Sequence, residues 1–409
     1  MRLAVIETAP RGGLLHYAAQ LGDALADRGN SVDLIAPAGN ELAARAGRAT
    51  MQAVLPPATA EGPESPSRLA YLRRRAGIAM ALARAWTTIL RLCSRHRYDA
   101  VVLNCEISLT PVTIAVLALT MRPGRPRLSL VCHNVRPFNR WAGEELFRSS
   151  RVLDAVLRRV FARLDVVFVH GERSRTEFEQ LWPSRELVVV PHGDETLFAA
   201  EPPAPSDERR VLFFGDWRKV KGLEVLMSAF DRLAASDPEA TLTIAGTPSP
   251  IDVDPESIRA WAAGHGDRVR IVDDYVPIED VPEVFGSARV VATPYLVGYQ
   301  SGVVHLAMTM ARAVVASDVG DLPNAVADGE TGLIVPPGDP EALAAALTTV
   351  LSDPELAGRM GAAGHERVLD HSGWDTVSEL VEQALTPGGA TASRPSQTEA
   401  PSIDPTTLA

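Results

Sequence analysis

Short apolar runs recur along this chain, each closed by a turn residue and followed by a longer stretch with apolar residues at helical spacing. A strand, a crossover helix and a further strand, repeated, can pack only as a parallel sheet with helices on its faces. The pattern runs twice and breaks once, at the proline-rich EPPAPSD of residues 201–207. A chain of 409 residues also exceeds what one ordinary core supports. The expectation is therefore an α/β protein of two domains, at 1–195 and 205–372.

In the first half the pattern predicts strands at 2–8, 31–36, 100–104, 128–131, 166–169 and 187–190. Helices are expected at 14–28, 68–96, 112–119 and 172–181, with further helical segments up to 164 and a loop at 56–66. In the second half strands are expected at 211–214, 241–245, 269–272, 290–293, 314–317 and 332–335. Helices are expected there at 223–235, 255–263, 279–285, 303–311, 340–352, 354–370 and 374–386. From Pro387 the chain is rich in Pro, Ser, Thr and Ala without periodicity, which predicts a disordered tail over 387–409.

The net charge of −11 is unevenly spread. Residues 1–195 carry 26 basic and 19 acidic side chains, while residues 196–409 carry 14 and 32. Two halves of opposite sign suit two domains that meet different partners. The basic excess is all arginine, and much of it lies on the helix at 68–96. That helix fits either a surface docked on anionic lipid or a solvated face in an arginine-rich composition. Cys93, Cys105 and Cys132 show no CxxC spacing and lie in or beside apolar runs. They read as buried thiols in a reducing compartment, not as a disulfide framework or zinc site. No apolar stretch is long enough to span a membrane, and the first run is too short for a signal peptide. The expected location is cytoplasmic, with peripheral contact at the inner face of the membrane as an option. No nucleic-acid partner is expected.

The stretch VLFFGDWRKVKG, residues 211–222, carries the first chemical signal. It runs strand, Gly215, a basic loop, then Gly222 at a helix start, and it holds both lysines of the chain, Lys219 and Lys221. Free N–H groups at a helix start favour an anion, and nearby cations add to this. An ammonium acts there as a point charge, whereas Arg218 can grip two oxygens. The alternative is a solvated basic loop. A second such loop, Gln300-Ser301-Gly302, follows the strand that ends at Pro294. Two cradles on one sheet suit a diphosphate.

In the first half a glycine pair, Gly12-Gly13, follows the first strand without the spacing of a dinucleotide fingerprint. It offers close approach of a ligand to backbone, or simply a tight turn. Three strands end in a histidine, at His133, His170 and His192. In an open α/β sheet such ends face the ligand crevice.

Taken in order, these motifs resemble a retaining, nucleotide-sugar-dependent glycosyltransferase of family 4 (group 1). The matches are Gly12-Gly13, His133, Pro191-His192-Gly193, FFGDWRKVKG, the QSGV loop, the helix-to-strand spacing at 306–317 and DGETGLIVPPGDPEAL at 328–343. The resemblance implies the GT-B fold, two Rossmann-like domains with a ligand cleft between them. It implies nucleotide sugar on the second domain and acceptor on the first, and a last helix, 373–386, that crosses back to the first domain. Polysaccharide biosynthesis is the usual setting. Arg218 and Lys221 are assigned to the diphosphate, with the amides of Ser301 to Val303. Gly215, Gly246, Gln300, Ser301, Gly302 and Val303 are placed on the donor, His133 on the reacting face, and Gly12, Gly13 and His16 on the acceptor side. No metal and no cofactor beyond the nucleoside-diphosphate sugar is expected. The acceptor is expected to be a glycan, a lipid-linked sugar or a small molecule.

Two departures stand out. The glutamate pair the family usually places eight residues apart is replaced by Gly298 and Leu306, and Asp216 stands where an arginine usually follows Gly215. The QSGV loop marks a branch of the family without that pair. Two other readings remain, a nucleotide-sugar epimerase or hydrolase of the same fold and a non-catalytic sugar-nucleotide-binding subunit.

Overall fold

The computed structural model describes residues 1–56, 68–105, 116–121, 124–136, 151–206, 208–249 and 253–387. Most of the loop at 56–66, half of the helix at 112–119, the helical segments before 151 and the tail beyond 387 lie outside these residues.

The chain forms two parallel sheets. The first has seven strands in the order β3-β2-β1-β4-β5-β6-β7. These are β1 (Arg2–Ile6), β2 (Ser31–Pro37), β3 (Thr50–Leu55), β4 (Ala100–Leu103), β5 (Arg127–Val131), β6 (Val166–Val169) and β7 (Leu187–Val189). The second has six in the order β10-β9-β8-β11-β12-β13. Its strands are β8 (Arg210–Phe214), β9 (Thr241–Ala245), β10 (Val269–Val272), β11 (Val290–Thr293), β12 (Ala313–Ser317) and β13 (Gly332–Val335). In both sheets the order reverses beside the first strand of the half, which opens a crevice at the strand ends there.

Most strands are apolar on both faces because helices cover both. β1, β4, β6 and β11 are buried over four residues or more. β3 was not expected. Only Leu55 of its six residues is buried, so its apolar signal is diluted by an exposed sheet edge. β1 stops at Ile6, short of 8, because the Glu7 carboxylate turns back to accept the N–H groups of Thr8 (2.5 Å) and Ala9 (2.7 Å). Three helices of the second half begin Asp-Pro-Glu. In each the aspartate, Asp254, Asp339 or Asp353, accepts an N–H of the first turn. Each such cap stabilises its helix by about 1 kcal/mol.

Residues 201–206 form no regular element, yet the segment is pinned. The buried Arg312 guanidinium donates to the Ala204 carbonyl at 2.6 Å. The helix Trp374–Leu385 buries Val377, Val381, Ala384 and Leu385 among Leu3, Val5, Leu21 and Leu25 of the first half. Glu382 fastens it by accepting from Arg28 and Asn30, both at 2.6 Å. Trp374 donates to the Asp194 carbonyl at 2.9 Å and lies over Gly193. Gly193 has φ +99°, and a Cβ there would come within 2.4 Å of the indole. Cys93, Cys105 and Cys132 are buried as expected.

Candidate active site at the facing strand ends

On the second sheet, the turn after β8 is built from glycines. Gly215 has φ +111°, and a Cβ on Gly246 would lie 2.0 Å from its carbonyl, so the ends of β8 and β9 touch through backbone. Arg218 then leads into a single 3-10 turn, Lys219–Lys221. Gly222 is left-handed with φ +67°, and a Cβ there would meet the Pro294 carbonyl at 1.9 Å. That contact presses the basic turn onto the end of β11. The Lys221 ammonium sits 3.8 Å from the centre of the Tyr295 ring, and the Tyr295 hydroxyl lies 2.9 Å from Ser301 Oγ. Ser301 Oγ in turn caps the helix Gly302–Thr309 by accepting the Val304 N–H at 3.3 Å. A Cβ at Gly215 would touch Val303 at 3.8 Å. The structure thus gathers Gly215, Gly246, Lys221, Ser301 and Val303, with Tyr295 as an unforeseen link. Lys219 is exposed.

Gln300 and Gly302 turn toward the first domain. The Gln300 amide donates to the His170 carbonyl at 3.2 Å. A Cβ on Gly302 would lie 3.4 Å from a Glu195 oxygen and 3.5 Å from the His192 ring. Leu306 is buried in the apolar cluster with Val304 and Met308. Its neighbour His305 carries the polar face of this helix and stacks on His192 at 4.8 Å.

On the first sheet the strand ends supply Glu7, Asn104, His133, His170 and His192. His133 stands 3.0 Å from Asn104 Oδ1 and 3.2 Å from His170. Tyr17, from the helix Gly13–Asp27, packs edge-on against His133, His170, His192 and Trp374. Burial holds His133 and His192 well below the ordinary imidazole range, and neighbouring histidines add to this. Burial brings His170 to about 4. Burial also pushes Glu195 up to about 8, against a bond from Gln20. The three strand-end histidines therefore meet at one place, and the signal for it was legible. Glu7, Tyr17, Asn104, Glu195 and His305 had none, because each is a lone polar residue beside an apolar run.

The glycine turn is tied to the same cluster. Asn104 donates to the Leu14 carbonyl at 2.8 Å. Gly12 has φ +89°, which only glycine adopts freely, but Gly13 has no such backbone demand. A Cβ on either would meet nothing within 4 Å. His16 lies behind the turn, buried, with its ring nitrogen 2.7 Å from Glu41. Among the described residues no group of histidine, cysteine and carboxylate side chains is arranged to hold a metal ion, and no helix is long and apolar enough to cross a membrane.

Residues 11–196 match the description Glycosyltransferase Family 4, and residues 208–353 match Glycosyl transferases group 1. Alpha-maltose-1-phosphate synthase of Mycolicibacterium smegmatis is 31% identical over 276 residues, covering 61% of this chain and 70% of that protein. D-inositol 3-phosphate glycosyltransferase of Corynebacterium efficiens is 34% identical over 213 residues, covering 48% of this chain and 50% of that one. The match thus spans about half the length of that second relative. Among solved structures, sucrose-phosphate synthase of Thermosynechococcus elongatus superposes with a TM-score of 0.72 at 21% identity, over 93% of this chain and 97% of that one. Anabaena HepE, in complex with UDP and glucose, gives 0.68 at 18% identity over 94% and 99%. These likenesses show the GT-B fold.

Proposed function

The chain belongs to the group 1, family 4 glycosyltransferases, and we propose that it holds a nucleoside-diphosphate sugar against its second sheet and passes the sugar to an acceptor at Gly12-Gly13. The observation that carries this is the linked set Lys221–Tyr295–Ser301 at the start of the helix Gly302–Thr309, facing the strand-end histidines of the other domain. A diphosphate placed there meets helix N–H groups and a fixed ammonium, donors that need not reorganise as charge grows on the leaving group. Arg218 adds a second cation. Gly13 supports the acceptor assignment, since neither its backbone nor its packing requires glycine.

Glutamates are absent at Gly298 and Leu306, so contacts to the sugar and ribose come from other groups. Retention of configuration follows from the family resemblance, with the departing phosphate oxygen taking the acceptor proton. No metal enters the reading, because Lys221, Arg218 and the helix end supply the positive potential. HepE was solved with UDP and glucose, which favours a uridine or related diphosphate as the first donor to try.

The first domain offers a surface for a lipid-linked acceptor. Arg84, Arg91 and Arg95 are exposed on the helix Arg68–Arg95, and Met80 beside them is 57% exposed. Cations next to an exposed apolar side chain suit an anionic bilayer surface.

A panel of UDP-, GDP- and dTDP-sugars tests the reading by thermal shift, because a ligand that binds only the folded chain raises its apparent stability. The expected result is a rise with one nucleotide class, followed by acceptor-dependent release of that diphosphate. Turnover that ignores the acceptor would point to an epimerase or hydrolase. Binding without any turnover would point to a non-catalytic subunit. Co-sedimentation with phosphatidylglycerol vesicles tests the membrane surface, and Arg84→Glu with Arg91→Glu should abolish it.

A further inference from the structure

The two rings His133 and His170 sit in series between two fixed acceptors. At one end, the Asn104 amide nitrogen donates to Glu7 Oε2 and to the Leu14 carbonyl, both at 2.8 Å. The Leu14 carbonyl has no hydrogen to donate, so a reversed amide would set oxygen against oxygen there. The amide therefore cannot be reversed, and Asn104 Oδ1 must face His133 Nε2, 3.0 Å away. At the other end, His170 Nδ1 faces the Val190 carbonyl at 3.3 Å, with the Pro191 carbonyl against the same ring. Between them, His133 Nδ1 and His170 Nε2 stand 3.2 Å apart.

Proton accounting then decides the state. Each outer nitrogen must carry a hydrogen to satisfy its carbonyl. Two neutral imidazoles hold only those two hydrogens, which leaves the inner nitrogens lone pair against lone pair. One further proton between the inner nitrogens satisfies every contact in the row. Without it, one ring turns its hydrogen inward and an outer bond is lost. Both nitrogens of His133 are thus committed within the protein, so this ring acts on a ligand through charge and shape. It is also the ring of the pair that remains partly exposed.

We propose that His133 and His170 take up one proton between them, as a single unit, when a diphosphate anion enters the cleft, and that the shared positive charge then faces that anion. The inference rests on the nucleotide position given above. The pair adjoins that position because Gln300, which precedes the helix cap Ser301, bonds to the His170 carbonyl. Burial opposes charge on either ring in the unliganded protein. The surroundings set the balance. Tyr17 packs against both rings, and His192 lies 6.3 Å from His133 and 5.2 Å from His170. His305 disfavours charge on His170, and Asp194 favours charge on His305. Glu7 acts through Asn104, and Glu195 stands across Gly302. Both His133 and His170 are positioning residues in this scheme, since neither needs to touch a reacting atom.

Calorimetry of UDP and GDP binding at pH 8, in buffers of high and low ionisation enthalpy, reads proton uptake directly. The full chain is expected to take up about one proton more per nucleotide bound than His170→Gln, whose amide can still donate to His133 but cannot titrate. The nucleotide's own proton exchange is common to both proteins and cancels. In the same pair, nucleotide Kd should rise about tenfold or more in His170→Gln, because a proton taken up on binding strengthens that binding, and the pH profile should lose one ionisation. Equal uptake by the two proteins, with measurable binding, overturns the shared proton and leaves the nucleotide reading standing. No binding of any nucleotide overturns both. Long-range proton–nitrogen spectra of the unliganded chain give a measurement free of variants. A single titration common to both rings supports the pair, and two independent steps overturn it.

Discussion

The Tyr275 hydroxyl of the second domain donates to Glu41 Oε2 of the first at 2.6 Å. The other oxygen of that carboxylate accepts the Gly12 N–H at 2.6 Å and lies 2.7 Å from the His16 ring. Burial works against a charge on Glu41, but the bonds from His16, Tyr275 and Gly12 outweigh it and hold the carboxyl below its usual value. Arg11 covers the Tyr275 ring, 4.9 Å from its centre. One residue of the second domain therefore fixes the Gly12 turn of the first only when the domains are together.

Tyr275→Phe should accordingly loosen closure without unfolding either domain. A hydrogen bond to a charged group contributes about 1.5–3 kcal/mol, so kcat/KM should fall roughly tenfold or more. Steady-state kinetics beside a thermal melt check this. An unchanged kcat/KM would mean that the turn is set by Glu41 and His16 alone.

A second cross-domain contact caps a helix. Asp321, fully buried, accepts the N–H groups of Arg173 and Ser174 at 3.0 Å each, at the start of the helix Glu172–Leu181. Gly171 lies so close that a Cβ would come within 2.2 Å of the carboxylate carbon. Asp321→Ala removes the acceptor of both N–H groups, and of the Ser174 hydroxyl and the Asn324 amide, and should cost about 2 kcal/mol or more, lowering the melting temperature by roughly 5 °C. Gly171→Ala, whose backbone is extended and unstrained, should reproduce the loss by displacing Asp321. Melts that separate the two variants by more than their error would sink the idea of a shared cap.

How far this was legible in the sequence depends on what each residue depends on. Strands such as Val166–Val169 and Val290–Thr293 are buried on both faces, so composition alone betrays them. β3 is half-exposed and needed its neighbour β2 to be seen. The strand-end histidines were legible because local sequence places them at the carboxyl ends of strands. Their partners were not, since Asn104 meets His133 only through sheet order, and Gln20 meets Glu195 only through the packing of the helix Gly13–Asp27 on the sheet. Tyr275 and Asp321 are of the same kind, as their roles exist only between domains.

Glu195 makes stability depend on pH. Its carboxyl is pushed from an ordinary 4.5 up to about 8 by burial, so the folded chain keeps a proton that the unfolded chain has released. Stability therefore falls as pH rises from about 4.5 to 8, and levels off above that. Glu195→Gln keeps the shape and removes the titration. It should leave stability nearly unchanged at pH 5 and raise it at pH 9 by a few kcal/mol, on the basis of about 1.4 kcal/mol per unit shifted. Urea denaturation at the two pH values measures this. The buried histidines act with the opposite sign. His170, at about 4, withdraws stability as pH falls below about 6.5. The two ranges overlap, and the wild-type optimum is expected where their opposing slopes balance.

The two lysines provide the sharpest test of the proposed donor site. They lie two residues apart in one 3-10 turn, yet Lys221 is half-buried over Tyr295 while Lys219 is exposed. Stacking on the ring costs Lys221 little and removes its freedom, so its charge is already in place when a diphosphate arrives. Lys221→Ala should lose about 2–4 kcal/mol of transition-state stabilisation, seen as a fall of roughly 30- to 1000-fold in kcat/KM with an unchanged melting temperature. Lys219→Ala removes the same formal charge from the same turn and should stay within about twofold. Tyr295→Leu keeps Lys221 but frees it, and should fall between the two. If Lys219→Ala proves as damaging as Lys221→Ala, general potential rather than a placed ammonium governs the step, and Tyr295 has no part in it.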